Sequence, residues 1–325
     1  MTELLLNFQV GLNKPCFGGQ YDHDLGNNQF SRWEPYFPDN IDPVRSFFNE
    51  VQGIDIVRMW LFEGMEGLVF DNHDELVSIE RMFLESLKTV LEWAAERDIR
   101  MYLCLFDAWA TIHRPATENA MGSIIHGTKF VDTILTKLCD FLSNHAATIF
   151  AIDLMNEPEG LIECNITTPN ELANALNSWC NYVHNYHHNI KCSIGWMERE
   201  NASKYSYLDV DFCDFHLYNR SGEIPYCDEN DFAKKDCIIG ECGYPLIDDS
   251  PRQLTLRRDY GALIAKKMII EARNKSYFGI LPWPIDGPQM DEANRQLNSI
   301  VVQLALKFKT EGCQPNNSSH LSARR

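Results

Sequence analysis

Short apolar runs alternate along the chain with longer amphipathic stretches. The apolar runs predict eight strands, at residues 5–12, 54–60, 100–106, 149–155, 191–195, 212–216, 237–240 and 277–281. The amphipathic stretches predict helices, at residues 74–97, 127–144, 169–188, 199–206, 252–273 and 289–309. Residues 13–45 are rich in glycine, proline, asparagine and aromatic residues, which predicts a long loop that ends where a helix starts near Asp42.

Eight strands that alternate with helices match the element count of a (β/α)8 barrel. An open doubly wound sheet alternates in the same way, and periodicity alone does not separate the two folds. The 325 residues, 45% of them hydrophobic, suffice for one barrel with loop insertions. Because neither a repeat nor a linker interrupts the alternation, we expect a single α/β domain, a (β/α)8 TIM barrel over residues 1–311. Residues 312–325 are polar, and we expect a disordered tail there.

Charge and cysteine content narrow the classes of partner. The chain carries 29 basic and 46 acidic residues, a net charge of −17, which argues against nucleic acid or an anionic membrane as partner. Its eleven cysteines include no C-x-x-C motif, which argues against a zinc ribbon and favours a reducing compartment. No signal segment and no apolar run of about 18 residues is present, so we expect a protein without a membrane span that is cytoplasmic, or secreted if a signal peptide has been removed. The oligomeric state leaves no signal in the sequence.

Polar and aromatic residues recur at the C-terminal ends of the predicted strands, where barrels carry their catalytic groups. These ends read Arg58-Met59-Trp60, Asp107-Ala108-Trp109, Asn156-Glu157-Pro158, His216-Leu217-Tyr218, Glu241 and Trp283. The fourth and seventh strands, which end at Glu157 and Glu241, lie across a barrel mouth from each other. Two carboxylates are therefore predicted to face one another over a pocket. Hydrolysis of a glycosidic bond with retention needs such a pair, about 5–5.5 Å apart.

Taken together, these positions resemble clan A of the glycoside hydrolases. Within that clan they look most like the family-five group, which contains cellulases and β-mannanases. The positions that match the family pattern are Arg58, Asn156, Glu157, Pro158, His216, Tyr218, Glu241 and Trp283. Asn-Glu-Pro alone is a weak tripeptide, but all these positions in order at barrel spacing are a specific signal.

The resemblance implies a role for each residue and a double-displacement reaction on a β-linked oligosaccharide or glycoside. Glu157 would act as general acid and then as base, and Glu241 would be the nucleophile that forms a glycosyl-enzyme. Asn156 would bind the sugar 2-hydroxyl. Arg58 and Tyr218 would donate hydrogen bonds to Glu241 and keep it ionised.

Three further expectations follow from the resemblance. Repulsion from an ionised Glu241 would raise the pKa of Glu157 to the range that an acid needs. His216 and Trp283 look like the strand-six histidine and the strand-eight tryptophan under the sugar. The reaction implies carbohydrate as the partner, and neither a cofactor nor a metal.

The sequence departs from the family pattern at the end of the third strand. Many members carry a histidine there, whereas this chain has Asp107-Ala108-Trp109, with His113 farther on. The mannanase-like members place a Trp-Asp pair nearby, so we expect Asp107 and Trp109 to line a subsite. A missing signal segment is a second departure, because polysaccharide-degrading relatives are usually secreted. Small oligosaccharides or glycosides would suit a cytoplasmic enzyme.

Alternative functions remain open at this point. A transglycosylase would use the same residues and differ only in how well its pocket excludes water. A non-catalytic barrel that binds a glycan or a protein is disfavoured by the presence of both glutamates. A metal-dependent amidohydrolase would need His-x-His at the end of the first strand, where Leu12-Asn13-Lys14 stands. On its own, His216 is more often a core histidine than a catalytic one.

Overall fold

The computed structural model describes residues 8–17, 24–31, 41–73, 75–112, 115–245, 250–285 and 290–312. Eight parallel strands form a barrel: β1 (Gln9–Asn13), β2 (Ile56–Trp60), β5 (Arg100–Cys104), β6 (Ile149–Asn156), β7 (Cys192–Trp196), β8 (Cys213–Tyr218), β9 (Cys237–Gly243) and β10 (Gly279–Pro282). The barrel closes in the order β1-β10-β9-β8-β7-β6-β5-β2. Two further strands, β3 (Leu68–Phe70) and β4 (Leu76–Ile79), form an antiparallel hairpin. The predicted (β/α)8 barrel is confirmed.

Helices surround the barrel. Their bounds are α1 (Ile41–Glu50), α2 (Arg81–Ala95), α3 (Ala108–Thr111), α4 (Pro115–His126), α5 (Thr136–Ser143), α6 (Glu159–Glu163), α7 (Pro169–Tyr186), α8 (Arg199–Lys204), α9 (Pro251–Asn274) and α10 (Asp291–Gly312). Helix α7 begins with a capping box between Thr168 and Glu171, and Pro169 is the first residue of the helix. Ser250 caps α9 by accepting a hydrogen bond from the backbone of Gln253.

The structure differs from the sequence predictions at a few boundaries. The helix expected over residues 74–97 begins only at Arg81, because Leu76–Ile79 form strand β4. Strands of three and four residues are too short for periodicity to distinguish them from a helix turn. Strand β9 continues to Gly243 instead of ending at residue 240, so Glu241 lies within it. Residues 5–7 of the first predicted strand and 313–325 of the tail lie outside the described residues.

The barrel interior changes character along the strands. Its lower part is a small apolar core: Ile56, Tyr102, Phe150, Ala151, Phe212, Ile238 and Leu281. Side chains of a strand alternate between its faces, so the next interior position lies two residues farther along. That step leads from Ile56 to Arg58, from Ala151 to Asp153 and from Phe212 to Asp214. A charged layer therefore lies directly above the apolar one.

A much larger apolar core lies between the strands and the surrounding helices and includes Val57, Leu87 and Trp179. This core holds the strands rigidly while their C-terminal ends carry polar groups. No helix among the described residues is long and apolar enough to cross a membrane. The ten cysteines of the described residues are free thiols.

Candidate active site

Arg58 organises the charged layer of the barrel. It is 1% exposed. Its Nη2 lies 2.6 Å from Asp153 Oδ2, and its Nη1 lies 2.6 Å from Glu241 Oε1. The same two nitrogens donate to the side-chain oxygens of Asn156 at 2.8 Å and Asn13 at 3.1 Å. A buried guanidinium thus has its charge matched and its donors satisfied, which is the condition for burying ions at tolerable cost.

Two glycines make room for the acids of this layer. A β-carbon at Gly195 would lie 2.8 Å from Asp153 Oδ2, and one at Gly240 would lie 2.2 Å from Asp214 Oδ1. Both glycines instead bring their backbone N–H groups to these carboxylates, at 2.9 and 2.8 Å. Asp214 also accepts a hydrogen bond of 2.7 Å from the hydroxyl of Tyr102. Any larger residue at either position would displace the acid that supports the site.

Glu241 stands inside β9 and is 4% exposed. One carboxylate oxygen accepts the hydrogen bond from Arg58, and the other accepts one of 2.8 Å from the Tyr218 hydroxyl. Burial raises the pKa of Glu241, while the charge of Arg58 and the hydrogen bond from Tyr218 oppose that rise. Both oxygens of this carboxylate are therefore fixed in position, and one of them faces a cation.

Glu157 follows the last residue of β6 in a turn that is unusual for a non-glycine residue. Its φ is +46°, in the left-handed region. Its N–H donates to Gly195 O at 2.6 Å, and Pro158 prevents the strand from continuing. The carboxylate accepts hydrogen bonds from Trp109 Nε1 at 2.6 Å and from His216 Nδ1 at 2.7 Å. The turn thus directs Glu157 toward the barrel mouth while two side chains hold it there.

His216 lies between the two glutamates. Its Nδ1 is 2.7 Å from Glu157 Oε1 and 3.5 Å from Glu241 Oε2. Burial lowers the pKa of His216 to about 4, so its ring is neutral at neutral pH and carries one proton. Since an ionised carboxylate only accepts hydrogen bonds, that proton belongs on Nδ1. The histidine is a neutral donor placed between two acids.

Asn156 is clamped at both ends of its amide. Its Oδ1 accepts from Arg58, and its Nδ2 donates to Asp107 Oδ1 at 2.7 Å. The second oxygen of Asp107 caps α3 by accepting from the N–H of Ala110 at 2.7 Å. Burial raises the pKa of Asp107 to about 6, against the lowering effect of the Asn156 hydrogen bond. One carboxylate therefore orients both Asn156 and the helix that carries Trp109.

A cavity of about 370 Å³ opens above these residues. The residues that line it are Trp60, Asp107, Trp109, Asn156, Glu157, Tyr218, Glu241, Gly243, Tyr244, Pro245, Arg257, Gly261, Ala265, Trp283, Pro284 and Ile285. The rings of Trp60 and Trp283 meet at a centroid distance of 5.4 Å and form one aromatic wall. An apolar wall opposite polar groups is an arrangement suited to a sugar ring, whose faces are apolar and whose edges are polar.

The site residues predicted from the sequence come together around this cavity. Arg58, Tyr218, His216 and Trp109 contact one of the two glutamates directly. Asp107 acts through Asn156, and Trp283 forms part of the wall. Their chemical roles stay predictions. His113 lies outside the described residues.

The origin of the Glu157 pKa differs from the expectation. Its pKa is raised, but the largest cause is burial, whereas the sequence-based prediction was repulsion from an ionised Glu241. The hydrogen bond from Trp109 and the charge of Arg58 lower it. The expectation was wrong because the sequence does not show how much of the carboxylate the protein covers.

Three residues of the charged layer were not anticipated: Tyr102, Asp153 and Asp214. Each lies within an apolar strand, and the two acids are completely buried. An acid inside an apolar strand must find a partner, so Asp153 and Asp214 carried a signal in the sequence. Helix α9 contributes Gly261 and Ala265 to the cavity, and nothing in the sequence indicated that these residues would line it.

Glu157, His216 and Glu241 also form a group that could hold a metal ion. Each offers one ligand atom, and these atoms all lie within 4.8 Å of one another. Among the described residues this is the single group of its kind. That the reaction uses no metal stays a prediction.

Comparison with known proteins gives a likeness of fold. No family model matches the sequence, and no curated protein matches it. The fold is similar to that of a β-mannanase from the blue mussel Mytilus edulis, with a TM-score of 0.67 and 17% identity over 90% of this chain and 91% of that one. An endo-1,4-β-mannanase from Eisenia fetida is similar with a TM-score of 0.64 and 14% identity, over 91% of each chain.

A glycoside hydrolase family 5 enzyme from Prevotella bryantii has the same fold, with a TM-score of 0.60 and 13% identity over 94% of this chain and 97% of that one. A mutant of this bacterial enzyme is known in complex with a xyloglucan tetradecasaccharide. At such identities the likeness shows the (β/α)8 fold, which this chain shares with mannanases and other family 5 glycoside hydrolases.

Proposed function

We propose that this chain is a retaining β-glycoside hydrolase, with Glu157 as acid/base and Glu241 as nucleophile. The observation that carries the proposal is the spacing of the two carboxylates. One oxygen of each lies within 4.8 Å of the other across the cavity. Retaining enzymes hold their carboxyls about 5–5.5 Å apart, whereas inverting ones need about 6.5–9.5 Å to fit a water. An approach of one oxygen of each acid to within 4.8 Å is consistent with the shorter carboxyl separation, so we propose retention.

In the first step, a Glu241 oxygen attacks the anomeric carbon and the glycosidic C–O bond breaks. Glu157 donates its proton to the departing oxygen, so that an alcohol leaves and a glycosyl ester of Glu241 remains. The raised pKa of Glu157 suits it to carry that proton. Arg58 and Tyr218 hold the attacking carboxylate and favour its ionised form.

In the second step, a water molecule takes the place of the leaving group. Glu157, now ionised, removes a proton from that water as its oxygen attacks the anomeric carbon. The ester bond breaks, Glu241 is released as a carboxylate, and Glu157 is protonated again. Two inversions at one carbon give net retention. Asn156, clamped between Arg58 and Asp107, is positioned to bind the sugar 2-hydroxyl.

The nature of the substrate is the finer part of the proposal. Several neighbours in fold are β-mannanases, and another is an exo-β-1,4-mannosidase. We therefore propose β-1,4-linked mannooligosaccharides as the first substrates to test, with glucooligosaccharides and xyloglucan fragments beside them. The aromatic wall of Trp60 and Trp283 supports a sugar ring at the cavity but does not distinguish among these.

The test is hydrolysis of these oligosaccharides and of a panel of aryl β-glycosides, with Glu241→Ala as the control variant. NMR of the first product formed reports whether the β-configuration is retained. Activity that Glu241→Ala removes, with retention, supports the proposal, and an inverted product contradicts it. Longer products formed from an added sugar acceptor would identify a transglycosylase. If no substrate is turned over, binding of the Glu241→Ala variant to a glycan array would identify a binding barrel.

A further inference from the structure

Trp109 has a contact that a sugar-binding platform does not need. Its indole N–H donates to Glu157 Oε2 at 2.6 Å, while the other oxygen of Glu157 is occupied by His216. The ring is half-buried, so one part of it lines the cavity and another is enclosed by protein. Trp109 lies in helix α3, which begins at Ala108. The preceding residue, Asp107, caps this helix and accepts a hydrogen bond from Asn156. Trp109 is thus tied to the strand end that carries Glu157.

Gly160 supplies the surface on which this indole rests. A β-carbon at Gly160 would lie 3.3 Å from Trp109 Cδ2 and Cε2 and 3.4 Å from Ala108 Cβ. Gly160 is the second residue of α6, the helix that begins directly after the Glu157 turn, and its N–H donates to Glu157 O at 3.0 Å. The indole therefore packs against the same turn whose side chain it binds. A methyl group at this position would require the ring to move by a few tenths of an ångström from the place where its N–H meets the carboxylate.

We propose that Trp109, seated on Gly160, is a positioning residue that aims Glu157 and stabilises its ionised form. This inference rests on the proposed function, in which Glu157 must hold a proton in one step and lose it in the next. His216 supplies the matching donor on the other oxygen, so both oxygens of Glu157 are held by neutral groups. In the proposed reaction Trp109 controls the orientation and proton affinity of the acid, in addition to any contact with sugar.

Other charged and titratable groups around Glu157 also influence its pKa, so the test must leave them unchanged. They are Arg58 from β2, Asp107 before α3, Glu159 and Glu163 from α6, His216 and Tyr218 from β8 and Glu241 from β9. None of them is altered by replacing Trp109 with phenylalanine. That substitution keeps an aromatic ring at the cavity and removes only the N–H donor.

The first experiment compares pH–rate profiles of the wild type and the Trp109→Phe variant. The donor stabilises the carboxylate, so its loss raises the pKa of Glu157, and the alkaline limb moves up by about one pH unit. At the optimum kcat falls by roughly tenfold, because the acid is less well aimed. Trp283→Phe makes the same change of ring at another part of the cavity, and we expect it to raise KM without moving the alkaline limb. An unmoved limb in Trp109→Phe would reduce Trp109 to a sugar platform and overturn the proposal.

Gly160→Ala tests the seat without touching the indole. The added methyl crowds the indole, which must move by a few tenths of an ångström from its place beside Glu157, so we expect the alkaline limb to shift in the same direction by a smaller amount. Gly122→Ala is the matched control. Gly122 lies in helix α4, and a β-carbon there would meet only Ile166 Cγ2, at 4.0 Å. We expect no shift in that variant. Equal profiles for Gly160→Ala and Gly122→Ala would contradict the role of the seat.

A measurement that needs no turnover separates this inference from the proposed function. Titration of protein labelled with 13C at glutamate carboxyls, with the Glu157 signal assigned from a Glu157→Gln variant, reports its pKa by NMR. A higher pKa in Trp109→Phe than in wild type supports the positioning role, even if no glycoside is hydrolysed and the proposed function fails. An unchanged pKa refutes the positioning role while leaving hydrolysis intact.

Discussion

Glu157 and Glu241 stand at the mouth of one barrel, yet the donors that hold their carboxylates differ in charge. Glu241 is held by the Arg58 guanidinium and the Tyr218 hydroxyl. Glu157 is held by the Trp109 indole and by His216, which burial keeps neutral. Their backbones differ as well, because Glu241 lies inside a strand, whereas Glu157 has a φ of +46° just beyond one.

Two chemically identical groups in one cavity can thus be given separate tasks by their surroundings. A cation in contact with a carboxylate favours its charged form, as an attacking nucleophile requires. Neutral donors also favour the charged form, but less strongly than a cation in contact, so a proton can still be taken up and released during a reaction. In the proposed reaction, the surroundings of each glutamate determine its role, since both residues are of the same type.

Removing the nucleophile should reduce activity more than any other change. Glu241→Ala should lower kcat on every substrate by more than about 10⁴-fold, because no covalent intermediate can form. The loss should be the same for activated aryl glycosides and for unactivated oligosaccharides. Initial rates on both substrate classes check this, with circular dichroism as the control for folding. If Glu241→Ala kept as much activity as Glu157→Ala, the assignment of Glu241 as nucleophile and Glu157 as acid/base would be contradicted.

Removing the acid/base should produce a loss that depends on the leaving group. Glu157→Ala should slow cleavage of poor leaving groups by about 10²–10⁴-fold, the usual contribution of general acid catalysis. Activated aryl glycosides need little protonation, so their cleavage should retain more of its rate. The measurement is kcat/KM across aryl glycosides of graded leaving-group acidity. An equal loss on good and poor leaving groups would count against an acid role for Glu157.

Removing the cation should affect stability as well as activity. Arg58→Met leaves Asp153 and Glu241 buried without their partner, and the free energy of unfolding should fall by about 3–5 kcal/mol. Urea denaturation measures the change. Arg81→Met is the matched control, because its ion pair with Glu85 is exposed and should contribute almost nothing. Equal stability of the two variants would show that the buried ion pairs do not support the barrel.

The smallest effect should appear in the acidic limb of the pH–rate profile. The Tyr218 hydroxyl lowers the pKa of Glu241, so Tyr218→Phe raises that pKa. As the pH falls, the nucleophile is then protonated earlier, and the acidic limb moves up by roughly 0.5–1 pH unit. Tyr244→Phe, at the cavity wall, is the control. A shift of the alkaline limb instead would mean that Tyr218 acts on the other acid.

More of the barrel than of the candidate site could be predicted from the sequence. Short, nearly continuous apolar runs separated by amphipathic stretches marked the eight barrel strands, because burial of both strand faces leaves a strong pattern. Hairpin β3-β4 was missed, since its strands are short and its residues partly exposed. Asp153 and Asp214 could have been flagged as acids within apolar strands, but their partners could not have been named.

The sequence alone was enough to predict an α/β fold of eight strands and the polar residues at their C-terminal ends, because burial and alternation are local patterns. The prediction of a closed barrel in place of an open sheet rested on the family resemblance that those end residues carry. Which donor meets which carboxylate depends on how the whole chain folds. The partners are far apart in the chain: Arg58 and Glu241 are separated by 183 residues, and Trp109 and Glu157 by 48. Such pairings depend on barrel closure and on single glycines such as Gly160, whose contacts no local pattern records. Burial decided the pKa of Glu157 for the same reason, since the covering of a side chain is a property of the whole packed chain.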